Sequence, residues 1–412
     1  MKYALISMLA LSGATQAAAK TIYAASYAGP IFELSLTRAA NNNSFSLSEV
    51  SRTLDCGSNP SWLALEKATG TLFCANEAYT LPNTGSLSSF STNKAEDSSS
   101  LNLLDNVTTD YGPVQAIFFA PNRLGLAHYA GGAVSVWDTT DPGRLVELQS
   151  FHYFMDAPGP NATLQDKPYP HGIVADPTGR FVVVLDRGAD VLRTYAVGRD
   201  GRLLELGAHF TAPGNGPRHG VFAKGPSENS KTFFYVLGEL TNSLFGFEVL
   251  YNVSDGDGES GSGMGGISFR QFYNDSTYQT GFGSGSGTTL PAEIAVAEGG
   301  RHLLLSTRAD GRSAYLNNTS DTIVSYGVDL DTGTLSLIKL TASGGAWPRT
   351  FAVSGDGTMV AVADQYSVPG RLVVFKRDPE TGVVDDGVAL AVWTTDLALP
   401  DGQSISCVLW DE

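Results

Sequence analysis

Short apolar runs separated by turn-forming residues recur along most of the chain. In six stretches a proline opens an apolar run, a turn rich in Gly, Pro or Asn follows, and a second apolar run closes the unit. The units begin at Pro60, Pro113, Pro170, Pro217, Pro291 and Pro348. Each is followed by a more polar pair of runs, in places joined by turns such as "RDGR" and "LDTGTL" that are typical of hairpins. The pattern predicts six antiparallel units of four strands, without helical periodicity.

The two ends of the chain supply a seventh unit. The C-terminal run "SISCVLWD" matches the first strand of the repeat, and "TIYAASYAG" near the N-terminus matches the second. A ring whose last sheet is built from both chain ends leaves no sheet edge open. The sequence therefore predicts an all-β fold, a seven-bladed β-propeller forming one domain over residues 20–412. A Gly/Ser-rich insertion at about residues 254–289 is expected to be a flexible loop.

The N-terminus and the net charge indicate where the protein works. Residues 1–19 combine Lys2, a short apolar run and small residues, as a secretory signal peptide does. The N-x-S/T triplets, which are acceptors for N-glycosylation, lie at Asn42, Asn106, Asn161, Asn252, Asn274, Asn317 and Asn318. These features predict a glycoprotein that is secreted, extracellular or in the cell wall. Because the formal net charge is −16 and no basic run occurs, nucleic acid and membranes are not expected as partners.

Two of the three cysteines are predicted to pair. Cys56 precedes the first strand of its unit and Cys74 lies near the end of the second, so both approach the same rim of the ring. Cys407 falls inside the innermost strand of the split blade, where a buried free thiol is expected.

The repeat brings polar residues from distant parts of the chain to one rim. The first strand of a blade lines the central channel and runs from one rim to the other, and the second strand runs back, so the start of the first and the end of the second share a rim. His171, Arg218 and Arg349 stand at first-strand starts, and Arg187, Glu239, Arg308 and Gln365 at second-strand ends. Guanidinium groups suit carboxylate binding, and His171 or Glu239 could move a proton. Arg187, Arg349 and Gln365 are the candidates for substrate binding. The competing explanation is an ordinary rim of solvated and salt-bridged residues.

Arg218 and His219 are adjacent in "GPRHGVF". Because neighbouring residues of a strand point to opposite faces, we expect them to have different roles. Arg218 is predicted to face the channel and bind an anion, and His219 to pack or hydrogen-bond between blades.

The sequence contains no motif for a metal or a cofactor. It lacks H-E-x-x-H, C-x-x-C, the phosphate-binding G-x-x-x-x-G-K and the dinucleotide motif G-x-G-x-x-G before a helix. The segment "DGDGES" lacks the spaced carboxylates of a calcium loop. No metal and no cofactor are therefore expected.

Four stretches carry a resemblance to a known family. They are "PHGIVADPTGRFVVVLDRGADVLRTY", "GPRHGVF", "YVLGELTNSLFGF" and "WPRTFAVSGDGTMVAVADQYS". The chain resembles the seven-bladed lactonase family, which includes bacterial 6-phosphogluconolactonase and fungal 3-carboxy-cis,cis-muconate cyclase, and the fungal cyclase branch looks nearest. The resemblance implies a metal-free cycloisomerase in which a carboxylate adds to a double bond and closes a lactone. It places His171, Glu239, Arg218 and Arg308 in the catalytic site.

Three functions follow as hypotheses. The first is the lactonising isomerase, which would act on a small anionic polycarboxylate. The second is a lactone hydrolase of the 6-phosphogluconolactonase type. The third is a non-catalytic extracellular glycoprotein that keeps the scaffold. A secretion signal and the insertion between Glu239 and Arg308 are unusual for a catabolic enzyme, so the substrate is less determined than the fold.

Overall fold

The computed structural model describes residues 19–39, 44–79, 83–93, 101–252, 265–278, 289–310, 320–385, 389–397 and 402–412. Almost all of its regular structure is β-strand, with one 3-10 turn at Glu298–Gly300. The strands form seven separate four-stranded antiparallel sheets. The predicted seven-bladed propeller is therefore confirmed.

Six blades each consist of four consecutive strands. These are β4 to β7 (Pro60–Glu66, Thr71–Asn76, Gly85–Ser91, Asn102–Thr109), β8 to β11 (Pro113–Ala120, Arg123–His128, Ala133–Asp138, Val146–His152), β12 to β15 (Pro170–Ala175, Phe181–Asp186, Val191–Val197, Leu203–Phe210), β16 to β19 (Pro217–Lys224, Thr232–Gly238, Ser243–Asn252, Gly266–Ser276), β20 to β23 (Leu290–Ala297, His302–Arg308, Thr322–Val328, Leu335–Ala342) and β24 to β27 (Pro348–Val353, Met359–Asp364, Arg371–Lys376, Ala391–Thr394). We number these blades two to seven in that order.

Blade one closes the ring with strands from both chain ends. Its order is β28 (Ile405–Asp411), β1 (Lys20–Ser26), β2 (Ile31–Arg38) and β3 (Phe45–Thr53), with β28 innermost. An ion pair between Lys20 and Glu412 joins the two ends of the described chain. The split blade predicted from the sequence is thus confirmed.

The apolar positions of the strands are buried between blades. The buried residues form seven clusters, and each cluster joins two neighbouring blades. One of them packs Ile22 and Phe32 of blade one against Met359 and Trp393 of blade seven. Every blade therefore buries both of its faces, as a closed ring requires.

The segment predicted as a loop at residues 254–289 contains a strand. β19 (Gly266–Ser276) pairs with β18 over ten residues as the outer strand of blade five. Ile267 and Phe269 on its inner face are buried in the core. The loop prediction was wrong for this part because Gly/Ser composition outweighed the short apolar alternation. The remaining parts, 254–264 and 279–288, lie outside the described residues.

Other sequence predictions also fall partly outside the described residues. The predicted signal peptide lies there except for its last residue, as do Asn42, Asn317 and Asn318. In the described part, no helix is long and apolar enough to cross a membrane.

A β-bulge opens the innermost strand of every blade at the same rim, which we call the upper rim. The register with the second strand shifts immediately after the first residue of six innermost strands, β28 included, and after the second residue of β20 in blade six. One or two residues are left unpaired at each shift, among them His171, Arg218 with His219, and Arg349. Bulges redirect side chains, so these residues escape strict strand alternation.

The disulfide between Cys56 and Cys74 is confirmed, with their Cα atoms 6.1 Å apart. Cys407 is free and buried, as predicted. The disulfide ties the loop before blade two to the second strand of that blade.

Replacing Cys56 and Cys74 by alanine together should lower the free energy of unfolding by about 3 kcal/mol. A disulfide restricts the unfolded chain, and this value suits a closed loop of roughly this length. Urea denaturation of the double variant measures the loss. Cys407→Ala is the control, because it removes a buried thiol without opening a loop. Equal losses in the two variants would show that the disulfide contributes no more than packing.

Candidate functional site

Seven equivalent residues surround the channel at the upper rim. Each directly follows, or ends, the second strand of its blade, and they are Tyr27, Glu77, Tyr129, Arg187, Glu239, Arg308 and Gln365. In six blades the backbone N–H of this residue donates to the carbonyl of the residue just before the innermost strand. The repeat therefore presents one polar or phenolic side chain per blade toward the channel mouth.

Glu239 lies at the centre of a group of arginines. Arg187 of blade four and Arg308 of blade six each donate a hydrogen bond to a different oxygen of its carboxylate. The Nε of Arg218 lies 3.8 Å from Oε1, which is close enough for charge attraction but too far for a hydrogen bond. Glu239 is 7% exposed and Arg308 6%, so these charges are largely removed from water.

The charges in this group change each other's pKa. Burial alone would raise the pKa of Glu239, but Arg187, Arg308 and Arg218 lower it to about 2. Burial and the charge of Arg308 lower the pKa of Arg218 to about 9, against the attraction of Glu239. At neutral pH Glu239 is therefore ionised and Arg218 remains cationic.

Arg218 keeps an unused donor toward this group. Its Nη1 donates to the carbonyl of Ala292 in blade six. Its Nε is buried and has no hydrogen-bond partner within the described part of the chain. An unsatisfied buried cationic donor is unfavourable unless something else binds it, so this atom marks a place where a ligand oxygen would be stabilised.

Two histidines and a glutamate form a hydrogen-bonded chain across three blades. Glu293 Oε1 lies 3.1 Å from His219 Nδ1, and His219 Nε2 lies 3.1 Å from His171 Nδ1. Arg218 Nη1 also approaches His219 Nδ1, but at 3.4 Å, so the carboxylate is the better partner. The expectation that His219 hydrogen-bonds between blades is met in the structure. It does so beside Arg218 and not on the opposite face, because both residues lie in the bulge.

Both histidines are neutral at pH 7. Burial, together with the charge of Arg218, holds the pKa of His171 well below its usual value. Burial also lowers the pKa of His219, although Glu293 opposes this effect. The aromatic rings of Tyr129 and Trp62 enclose the pair, at centroid distances of 5.4 Å from His171 and 5.6 Å from His219.

Arg349 lies in a second group on the same rim. It donates to the hydroxyl of Tyr27 and, at 3.0 Å, to the carboxylate of Glu77. Tyr27 and Tyr79 also donate their hydroxyls to Glu77. Burial would lower the pKa of Arg349, but Tyr27 and Glu77 raise it, so Arg349 is firmly cationic.

Gln365 stands at the same ring position but is already partnered. Its Nε2 donates to the carbonyl of Gly402 at 3.1 Å. Among the predicted site residues, His171, Arg187, Arg218, Glu239 and Arg308 are drawn into one cluster, while Arg349 and Gln365 lie on the blade-seven side of the rim.

The sequence reasoning missed several polar residues of this rim. Glu77 and the phenols of Tyr27 and Tyr129 occupy the ring position of Arg187 and Glu239, in "ANEA", "SYAG" and "HYAG". The repeat contained the signal, because comparing the residue at the end of the second strand in all seven units would have identified them. Glu293 could not be found in this way, because it reaches the site only through a two-residue bulge.

A comparable buried ion pair occurs at the opposite, lower rim. Arg377 donates to both oxygens of Glu298, and His302 Nδ1 lies 3.0 Å from Glu298 Oε2. Arg377 is 1% exposed and its Nε is unpaired within the described residues, as in Arg218. These three residues therefore offer matched controls for substitutions at the upper rim.

No group of three or more His, Cys, Asp or Glu side chains suited to a metal ion occurs in the described part of the chain.

The fold and the rim define a class of protein, a seven-bladed propeller with a buried arginine, histidine and glutamate cluster at one channel mouth. The family model for the seven-bladed β-propeller lactonases matches residues 18–394. The chain belongs to this lactonase family.

Individual relatives support the same assignment. The chain is 29% identical over 328 residues to a probable 6-phosphogluconolactonase of Arthroderma benhamiae, covering 79% of this chain and 76% of that protein. It is also 29% identical over 327 residues to the 6-phosphogluconolactonase of Bacillus subtilis, covering 79% and 82%. The periplasmic gluconolactonase of Pseudomonas aeruginosa has a similar structure, with a TM-score of 0.73, 22% identity, and coverage of 95% of this chain and 99% of that one. This last likeness shows the fold. The fungal cyclase branch expected from the sequence is not confirmed by these matches.

Proposed function

We propose that the protein is a lactonase that hydrolyses a small sugar-derived lactone at the upper rim. The observation that carries this proposal is the chain from Glu293 through His219 to His171, which lies beside the unpaired donor of Arg218. The lactonase names of the relatives support the same class of reaction.

The hydrogen-bonded chain fixes the proton positions of both histidines. If His219 Nδ1–H donates to Glu293, its neutral ring leaves Nε2 as an acceptor. His171 Nδ1–H then donates to that acceptor, and His171 Nε2 carries the lone pair. A neutral histidine oriented in this way is a general base for a water molecule.

Hydrolysis then proceeds in two steps. His171 Nε2 takes a proton from water while the water oxygen bonds to the lactone carbonyl carbon, and an oxyanion forms. The oxyanion collapses, the bond from carbon to the ring oxygen breaks, and the proton on His171 passes to that oxygen. The product is the open hydroxy acid, and no other reactant is consumed.

Arg218 and Arg308 supply the charge that this oxyanion requires. Arg218 has a free Nε, and both guanidinium groups are nearly inaccessible to water, where a fixed positive charge stabilises an anion more than in solution. Arg187 holds Glu239 in place and Glu239 positions Arg308. Arg349 and Gln365 remain candidate substrate-binding residues.

The lactonising isomerisation expected from the sequence is the second candidate. That reaction needs an acid to deliver a proton to carbon, and the sequence left open whether Glu239 or His171 does so. The lowered pKa of Glu239 keeps it ionised, and His171 is neutral. These protonation states favour base-assisted hydrolysis over proton delivery. A loss of 3-carboxymuconate absorbance on adding the protein would support the isomerase instead.

The purified protein should accelerate the opening of glucono-1,5-lactone above its spontaneous rate in water. Acid release in a weakly buffered indicator solution measures the rate. Arg218→Met should remove most of the acceleration, because loss of one oxyanion donor costs roughly 10²–10³-fold in kcat. Arg377→Met is the matched control, since it removes an equally buried arginine at the lower rim.

Two results would contradict the proposal. Equal losses in Arg218→Met and Arg377→Met would show that only folding is affected. No acceleration of any sugar lactone by the folded wild-type protein would favour the non-catalytic glycoprotein.

We also propose that the protein is secreted and glycosylated. The four acceptor asparagines in the described part of the chain, Asn106, Asn161, Asn252 and Asn274, all have exposed side chains. Glycans at these positions would meet solvent and not the core. Treatment of the native protein with a peptide N-glycosidase should reduce its apparent mass.

A further inference from the structure

The residue just before the innermost strand of blade seven has an unusual backbone. Trp347 has a φ of 64°, in the left-handed region that bulky side chains rarely adopt. At the equivalent positions of blades three and five the chain has Gly112 and Gly216, with φ of 68° and 61°. The carbonyls of all three residues accept the same hydrogen bond, from Gln365, Tyr129 and Glu239 respectively.

The comparison between blades shows that this hydrogen bond does not require a positive φ. Asn59, Tyr169 and Ser404 accept the same bond in blades two, four and one without it, and blades three and five, where φ is positive, use glycine, which adopts it without strain. Blade seven keeps a tryptophan in the same conformation, at a cost in backbone strain. The indole ring is therefore not explained by the local turn.

The indole of Trp347 lies between Arg308 and the exposed ring of Tyr366. The guanidinium carbon of Arg308 is 5.3 Å from the centroid of the Trp347 ring. The ring of Tyr366 packs on Trp347 with centroids 4.6 Å apart, and Tyr366 is 41% exposed. The N–H of Tyr366 donates to the carbonyl of Ala346 at 3.1 Å, which fixes the two loops together. Trp347 and Tyr366 form an aromatic pair, which we call the aromatic step.

The charges of the rim limit what can bind beside this step. At the ring and bulge positions of the upper rim, four guanidinium groups (Arg187, Arg218, Arg308, Arg349) face three carboxylates (Glu77, Glu239, Glu293). Because His171 and His219 are neutral, the balance is one positive charge. One charge matches the single oxyanion formed from an uncharged lactone, whereas a phosphate dianion would leave the occupied site negative.

We propose that the substrate is an uncharged lactone carrying a further sugar, the lactone end of a disaccharide or longer saccharide. The lactone ring lies at His171 and Arg218, and the attached pyranose stacks on the aromatic step. The C–H groups on one face of a pyranose are weakly positive and suit the negative face of an aromatic ring. This inference rests on the proposed lactonase function and specifies its substrate class.

The test compares three lactones as substrates of the full-length protein. They are glucono-1,5-lactone, cellobiono-1,5-lactone, which adds one glucose, and 6-phosphoglucono-1,5-lactone. We expect kcat/KM to be about three- to tenfold higher for the disaccharide lactone than for gluconolactone, as one aromatic stacking contact predicts. The phosphorylated lactone should be the poorest of the three. A preference for the phosphorylated lactone, or no preference for the disaccharide, would overturn the inference.

Two variants distinguish stacking of the sugar on the aromatic step from positioning of Arg308 by Trp347. Tyr366→Ala removes the exposed ring that packs on Trp347, and Trp347→Gly removes the indole at a position where glycine suits the backbone. Tyr366→Ala should abolish the disaccharide preference and leave gluconolactone turnover within about twofold of wild type. Phe154→Ala, an 89% exposed ring on the same face, is the matched control and should change neither rate.

The outcomes distinguish this inference from the proposed function. If no lactone is opened, the lactonase proposal itself fails. If gluconolactone is opened but Tyr366→Ala keeps the disaccharide preference, only the aromatic step is refuted. If Trp347→Gly lowers both rates equally and Tyr366→Ala lowers neither, Trp347 serves only to position Arg308.

Discussion

A His171→Gln variant is expected to lose lactone-opening activity by roughly 10²–10⁴-fold in kcat, with little change in KM. His171 is the end of the chain that begins at Glu293, and its Nε2 is the ring nitrogen left for a water molecule. Glutamine retains a hydrogen-bonding group of similar reach but cannot accept a proton at neutral pH. Steady-state kinetics with glucono-1,5-lactone, corrected for spontaneous opening, measure the loss.

The matched control for this variant lies at the lower rim. His302 is 8% exposed against 7% for His171, and it also hydrogen-bonds a neighbouring side chain. His302→Gln should fold with a comparable loss of stability and keep wild-type kcat. Retention of full activity by folded His171→Gln would remove His171 from the mechanism and, with it, the role of the whole chain.

The same assignment predicts the pH dependence of the wild-type rate. A general base is active when unprotonated, and burial with Arg218 holds the pKa of His171 well below about 6.5. The rate should therefore stay constant as the pH falls through 6.5 and decline only at lower pH. A decline centred near 6.5 would indicate a solvent-exposed histidine and contradict this assignment.

The fold could be predicted from the sequence because each unit of the repeat is recognisable from short, local sequence patterns. Proline, a short turn and two apolar runs recur at matching spacing, so the seven blades and the split blade followed directly. The location of Arg187, Arg218, Glu239 and Arg308 at one rim followed from strand direction alone. The disulfide followed from the same geometry.

The organisation inside the rim could not be predicted in that way. Strand alternation separates Arg218 from His219, but the bulge at Pro217 leaves both unpaired and directs both into the site. Glu239 was a candidate proton donor because the sequence shows that it is a carboxylic acid and places it at the rim. Its lowered pKa depends on Arg187 and Arg308, which come from other blades and whose distances the sequence does not encode. Likewise, the strain at Trp347 is a property of the backbone.

The second large effect is expected in stability, at Glu239. Replacing it by glutamine should lower the free energy of unfolding at pH 7 by about 3–5 kcal/mol, the cost of removing one partner from a buried ion pair. Arg187, Arg308 and Arg218 would then share a nearly inaccessible space without a counter-charge. Urea denaturation measures the change. Glu298→Gln should cost less, because one arginine and one histidine surround Glu298 at the lower rim.

The pH dependence of this loss of stability distinguishes the contribution of the Glu239 charge from that of its hydrogen-bond geometry. The pKa of Glu239 is about 2 in the folded protein and near its usual 4.5 when unfolded. Its carboxylate therefore stabilises the fold fully above pH 4.5, and this contribution, about 3 kcal/mol for a shift of more than two pKa units, is lost as the pH falls toward 2. The unfolding free energies of wild type and Glu239→Gln should converge over that range. A difference that stays constant from pH 7 to pH 3 would show that the hydrogen-bond geometry of Glu239, and not its charge, holds the three arginines together.

Adding Arg308→Gln to Glu239→Gln tests the same point independently. Removal of one of the three repelling charges should recover part of the lost stability, although Arg308→Gln alone is destabilising.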